Sequence, residues 1–198
     1  MENTFFYRCI GSEIIKYVAI TGLPGSGKSI LSKQAERHNW KVLTMGDVVR
    51  DEIDSRGLEH NPETTGQVAL DLRREFGETI IVDRLAKHVL LHLSENFNVL
   101  IDGIRSPKEI TQFTKLIGSR PIVVGVKADE NTRYQRLLLR NRAEDGHLKN
   151  LKDRDLREIK LGVIDVISIA DFLWINEYPN IEDAEKDALL ILSHILMK

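Results

Sequence analysis

Residues 22–29 read Gly-Leu-Pro-Gly-Ser-Gly-Lys-Ser, set between an apolar run at 14–21 and a helical pattern that begins at Ile30. Glycines in a loop lose more conformational entropy on folding than other residues, so three of them in one short connection imply that the backbone itself must come close to something. The stretch matches G-x-x-x-x-G-K-[ST] at every position, and it lies where that motif requires, after a strand and at the head of a helix. Without side chains at Gly25 and Gly27, successive amide groups can turn inward and hold an anion. The helix N-terminus adds about half a positive charge at the same point. Lys28 can reach the β- and γ-phosphates of a nucleotide, and the Ser29 hydroxyl can ligate Mg²⁺.

A phosphate loop of this kind restricts the fold. Five short β-branched runs, at 14–21, 40–45, 97–101, 121–126 and 171–175, lack polar alternation and read as strands buried on both faces. Helical patterns separate them. Ser106-Pro107-Lys108-Glu109 is a capping box with proline at the first helical position, and Gly118 marks the stop. Ile81, Leu85, Val89 and Leu93 repeat every four residues, and Ile181, Ala184, Ala188, Leu192 and Ile195 mark a last helix. The expectation is an α/β protein: a three-layer α/β/α arrangement around a five-stranded parallel sheet. Residues 14–198 form one domain, with an acceptor-binding excursion of two or three helices at 46–96 and a short polar lid at 141–154. Residues 1–13 read as an N-terminal extension.

Of the 198 residues, 42% are hydrophobic and 29% charged, with a net charge of −2. That balance gives no reason to expect nucleic acid or a membrane surface as a partner, so an anion site must come from local clustering. The start carries no basic n-region of a signal peptide. The greasy stretch at 161–175 is broken by Asp165 and Asp171 and is too short to span a bilayer. A single cysteine, Cys9, fits a reducing, cytoplasmic setting and excludes a disulfide framework or a thiolate metal cluster. The oligomeric state is left open.

Charged residues at the carboxyl ends of the strands suggest the rest of a site, because ligands of open α/β sheets bind there. Asp102 ends the third strand, where a carboxylate sits near the nucleotide's metal. Asp47 and Arg50 follow the second strand and share a helix face, and Arg105 follows the third. Guanidinium groups flanking the loop suit a phosphate-bearing acceptor. Arg136 and Arg140 share a face of one helix, and Arg142, Arg154 and Arg157 follow around the polar excursion. Arginines about a lid can spread transition-state charge and exclude water.

In this order the phosphate loop, "GDVVR", "LIDGIR", the arginine-rich helix and "SIADFLWINE" resemble the nucleoside monophosphate kinase group, which includes adenylate kinase and dephospho-CoA kinase. The runs "MGDVVRDEI" and "DRDLREIKLGVIDVISIADFLWINE" are similar to an uncharacterised archaeal family described as related to those kinases. The resemblance covers about residues 16–180. It implies ATP–Mg²⁺ at 22–29, with Gly22, Pro24, Ser26 and Ile30 among the contacts. It also implies Arg136 near the adenine, Arg140 and Arg154 near the phosphates, and Asp47, Arg50 and Arg105 facing a small nucleotide acceptor. Two departures stand out. Adenylate kinases carry D-G-F-P-R and, four residues on, an adenine-reading glutamine, whereas here "DGIR" is followed by Glu109. Asp165 stands where a second lid arginine is usual, with Arg157 as a substitute. The expected activity is transfer of the γ-phosphoryl of ATP to a nucleoside monophosphate. The alternatives are a hydroxyl acceptor with Asp47 as base, and a nucleotide-binding switch or ATPase that acts on a protein or RNA partner through residues such as Phe5, Phe6 and Tyr7.

Overall fold

The computed structural model describes residues 15–140 and 148–197. The extension at 1–13, Arg142 and the first half of the expected lid lie outside the described residues, as does the side chain of Arg140.

The chain runs β1 (Tyr17–Thr21), α1 (Lys28–Arg37), β2 (Lys41–Thr44), α2 (Met45–Ser55), α3 (Pro62–Phe76), α4 (Ile80–Ser94), β3 (Val99–Asp102), α5 (Pro107–Ile117), β4 (Ile122–Lys127), α6 (Glu130–Arg140), α7 (Leu148–Leu161), α8 (Val163–Ser168), β5 (Phe172–Ile175) and α9 (Ile181–Met197). The five strands pair in parallel in the order β2-β3-β1-β4-β5. The fold is the α/β sheet expected from the sequence. β1 lies at its centre, with β3 on one side and β4 on the other. The order reverses there, which opens a crevice above the carboxyl end of β1.

Alternate residues of the strands feed two separate cores. Tyr17 and Ala19 of β1, with Val99 and Ile101 of β3, pack beneath α2, α3, α4, α5 and α8. Val18 and Ile20, with Leu100, Val124 and Val126, pack on the other face beneath α1 and α9. All five residues of β1 are buried. This two-sided burial explains the unbroken apolar runs and the lack of a polar alternation. Truncating a side chain such as Leu100, which has no exposed surface, costs about 2–5 kcal/mol in sites of this kind.

Local signals hold where they were strongest. Ser106 Oγ accepts from the Glu109 amide at 3.2 Å, while the Glu109 carboxylate takes the amides of Ser106 and Arg105, at 3.2 and 2.7 Å. Gly118 ends α5 in the left-handed region. The 46–96 excursion contains three helices, α2 to α4. Residues 148–154 of the expected lid are the opening turns of α7. Among the described side chains of those turns, one apolar anchor is buried. Leu151 is buried against Tyr134 and Leu137 of α6, and that contact fixes the helix.

Candidate active site

β1 ends at Thr21 in the centre of the sheet, and α1 begins seven residues later at Lys28. The loop between them is gripped by elements far along the chain. Asn176, wholly buried just after β5, donates from Nδ2 to the carbonyl of Ser26 at 2.9 Å. Arg133 of α6 donates to the carbonyl of Pro24 at 3.0 Å and holds Asp155 of α7 through two further bonds, at 3.0 and 2.6 Å. Tyr134 adds a third bond to Asp155, at 3.1 Å.

These clamps change the reason the loop needs its glycines. The sequence suggests that a Cβ would crowd out a polyphosphate. In the structure a Cβ on Gly25 would stand 2.5 Å from the carbonyl oxygen of Arg133, and one on Gly27 would run into the Asn176 amide. Both residues also have positive φ, 79° and 103°, a region costly for any residue with a side chain. The glycines make room first for the protein's own chain. Lys28 completes the loop by donating from Nζ to the carbonyls of Gly22 and Leu23, at 2.7 and 3.3 Å.

Above the loop lies a cavity of about 400 Å³, within the range of small-molecule sites. It gathers residues from every part of the sheet's carboxyl edge. Lys28 and Ser29 form its floor with Asp102, Arg50 and Arg105 come from the β2–α2 and β3–α5 side, and Arg136 and Arg154 come from α6 and α7. Gly22, Pro24, Gly25, Gly27 and Ile30 also line it. Ser26 and Asp47 do not line it. Ser26 Oγ is buried without a partner. Asp47 is half-exposed on the first turn of α2, where it accepts from Nη2 and Nε of Arg50 at 2.5 and 3.2 Å. The shared face expected of this pair is occupied by their own ion pair.

Arg105 is oriented on three sides. Its Nε donates to Glu158 of α7 at 2.6 Å, its Nη1 donates to the carbonyl of Gly103 at 3.1 Å, and its amide is held by Glu109. Glu109, which stands where adenylate kinases place an adenine-reading residue, points elsewhere. It is 2% exposed and its other oxygen accepts from Arg73 at 3.2 Å. Arg136 donates to the carbonyls of Asn176 and Tyr178, at 3.1 and 3.4 Å. This fixes it at the end of the cavity lined by Tyr178, Pro179 and Ile181. Arg157, the suggested substitute for a second lid arginine, does not line the cavity. Its guanidinium lies over Gly66 of α3.

The charges in the cavity act on one another. Burial lowers the Lys28 pKa, against the pull of Asp102 and Glu158. Burial raises the Asp102 carboxyl, opposed by Lys28 and Arg105. For Glu158 burial pushes upward too, but Arg105, Arg154 and Lys28 outweigh it and hold the carboxyl below its ordinary value. Glu158 was not anticipated from sequence. Its signal was the four-residue spacing from Arg154, which puts both on one face once α7 is seen to be a helix. Arg133, Asp155 and Asn176 were missed as well, because their partners are remote in sequence.

The comparisons fit this geometry. Residues 21–155 match the AAA domain family. A UPF0200 protein of Hyperthermus butylicus is 36% identical, with 90% of this chain and 94% of that one covered. The UPF0200 protein of Methanocaldococcus jannaschii is 37% identical, with 90% of each covered. Among solved structures, a shikimate kinase from Acinetobacter baumannii in complex with shikimate superposes with a TM-score of 0.56 at 19% identity, covering 92% of this chain and 96% of that one. A gluconokinase from Sinorhizobium meliloti gives 0.52 at 14% identity, covering 92% and 94%. At these identities the likeness is one of fold.

Proposed function

The chain belongs to the UPF0200 family and carries an AAA-type phosphate-loop domain, and from that premise we propose that it is an ATP-dependent phosphotransferase. It moves the γ-phosphoryl of ATP–Mg²⁺ to a small acceptor that carries a phosphate, with a nucleoside monophosphate as the leading class. The observation that carries this reading is the single cavity in which the loop residue Lys28 faces Arg50 and Arg105 from two adjacent strand ends and Arg154 from α7.

The residues present fit the nucleotide and its metal. The cavity runs from Lys28 and Ser29 to a less polar end at Tyr178, Pro179 and Ile181, which suits a triphosphate tail and a base. Ser29 and Asp102 offer one hydroxyl and one carboxylate, and no cluster of three or more acidic, histidine or cysteine ligands occurs among the described residues. That donor set suits Mg²⁺ held chiefly by phosphate and water. Bound there, the metal would neutralise charge on the β- and γ-oxygens. Lys28 would exchange the loop carbonyls for phosphate oxygens. Arg105 would hold the acceptor's anion, and Arg154 would face charge that develops between donor and acceptor. A phosphate acceptor is already an anionic nucleophile, so no proton need be taken from it.

The test is ATP consumption in the presence of a panel of nucleoside monophosphates, dephospho-CoA and simple hydroxy acids. Acceleration by a monophosphate supports the reading. Acceleration by dephospho-CoA alone moves the chemistry to a hydroxyl acceptor, with a carboxylate base. ATP hydrolysis that no acceptor accelerates would overturn it.

A further inference from the structure

Glu158 is a carboxylate inside a cavity meant for anions. Its side chain is 14% exposed, it belongs to α7, and it reaches across to bond Arg105 on the acceptor side at 2.6 Å. Lys28 of the phosphate loop and Arg154, one turn before Glu158 on α7, line the same cavity. Cations from the donor side, the acceptor side and α7 thus converge on ground where a negative side chain already stands.

We propose that Glu158 is the specificity-determining residue of the acceptor site: a built-in counter-anion that holds Arg105 and yields it only to an acceptor carrying a phosphate dianion. The proposal rests on the phosphotransferase reading and narrows its substrate class. A carboxylate acceptor that displaces Glu158 from Arg105 replaces one singly charged carboxylate by another, with little electrostatic gain. A phosphate monoester brings nearly twice the charge and three acceptor oxygens. Glu158 therefore filters by charge, passing phosphate esters and rejecting hydroxy acids. The combined field of Arg105, Arg154 and Lys28 keeps it ionised, so the filter operates at neutral pH.

The experiment titrates inorganic phosphate, and separately acetate, into the full chain with and without a non-hydrolysable ATP analogue and Mg²⁺. Analogue binding is measured first and reports on the nucleotide site by itself, while acceptor-stimulated ATP consumption reports separately on the phosphotransferase reading. In the wild-type protein, phosphate is expected to bind and acetate to compete poorly. In Glu158→Gln acetate should bind about a hundredfold tighter and phosphate by at least as much, the scale set by removing one unit charge about 6 Å away at an effective dielectric of about 20. Equal competition by acetate in the wild type, or unchanged or weaker phosphate binding in the variant, would overturn the filter even if the analogue binds normally. If Glu158→Gln does not fold, wild-type crystals soaked in phosphate decide the matter. The Arg105–Glu158 separation should then exceed about 4 Å, the limit of an ion pair. A pair that stays intact beside bound phosphate would refute the exchange.

Discussion

The clamp on the phosphate loop can be taken apart by mutation. Arg133 and Asp155 have side chains only 5% and 8% exposed, they share two hydrogen bonds, and Arg133 uses another to hold Pro24. Asp155→Ala would leave a buried guanidinium without its counter-charge. Breaking such a pair from one side costs about 3–5 kcal/mol, because the remaining charge is desolvated and uncompensated. For a domain of this size each kcal/mol moves Tm by about 2–4 °C, so the expected drop is about 6–20 °C. Replacing both partners with apolar residues, Arg133→Met with Asp155→Leu, removes the uncompensated charge but leaves the Tyr134 hydroxyl and the Pro24 carbonyl without these partners, so stability should recover from the single variant by about 1–3 kcal/mol without reaching the wild-type value. Nucleotide affinity should not return with it, since the Pro24 carbonyl has lost its donor. Urea denaturation with a linear fit gives the stabilities, and titration with an ATP analogue gives the affinities. A loss below about 1 kcal/mol in Asp155→Ala, or a double variant with wild-type affinity, would refute the idea that this pair shapes the loop.

Lys28→Ala should leave Tm within a few degrees of the wild type, because the amine touches only loop carbonyls, and should abolish nucleotide turnover; a variant that unfolds would show the amine to be structural. Arg105→Ala should raise the acceptor KM or lower kcat more than it weakens ATP binding, as read from steady-state kinetics beside an ATP-analogue titration. The Glu158 carboxyl titrates below its ordinary value in the folded chain, so its contribution to stability is complete above the unfolded value of about 4.3 and fades as pH falls through the lower native value. Denaturant titrations from neutral pH downward should accordingly give Glu158→Gln a shallower acid loss than the wild type; parallel curves would contradict the assignment.

What the sequence revealed was governed by distance along the chain. The phosphate loop, the capping box at Ser106 and Glu109 and the five strands depend on neighbours within a few residues, and each appears where periodicity and capping put it. Lys28, Arg50, Arg105, Asp102 and Arg154 could be brought together because parallel sheets place their ligands at one edge. The contacts that give those residues their setting could not. Glu158 lies 53 residues from Arg105, and Asn176 lies 150 from Ser26. The spacing that puts Asp47 and Arg50 on one helix face was visible in the sequence, while their mutual ion pair was not. The helix at the first turns of α7 was not legible because, among the described side chains there, Leu151 is the buried apolar one and no stripe marks it.

The bond from Asn176 to Ser26 also sets an order of assembly. The glycine loop is made well before β5, but Asn176 can take up its bond to the loop only once β5 has docked beside β4. A nascent chain cut before residue 176 would own the whole motif and should grip nucleotide poorly, because the loop's final shape depends on a residue made 150 positions later.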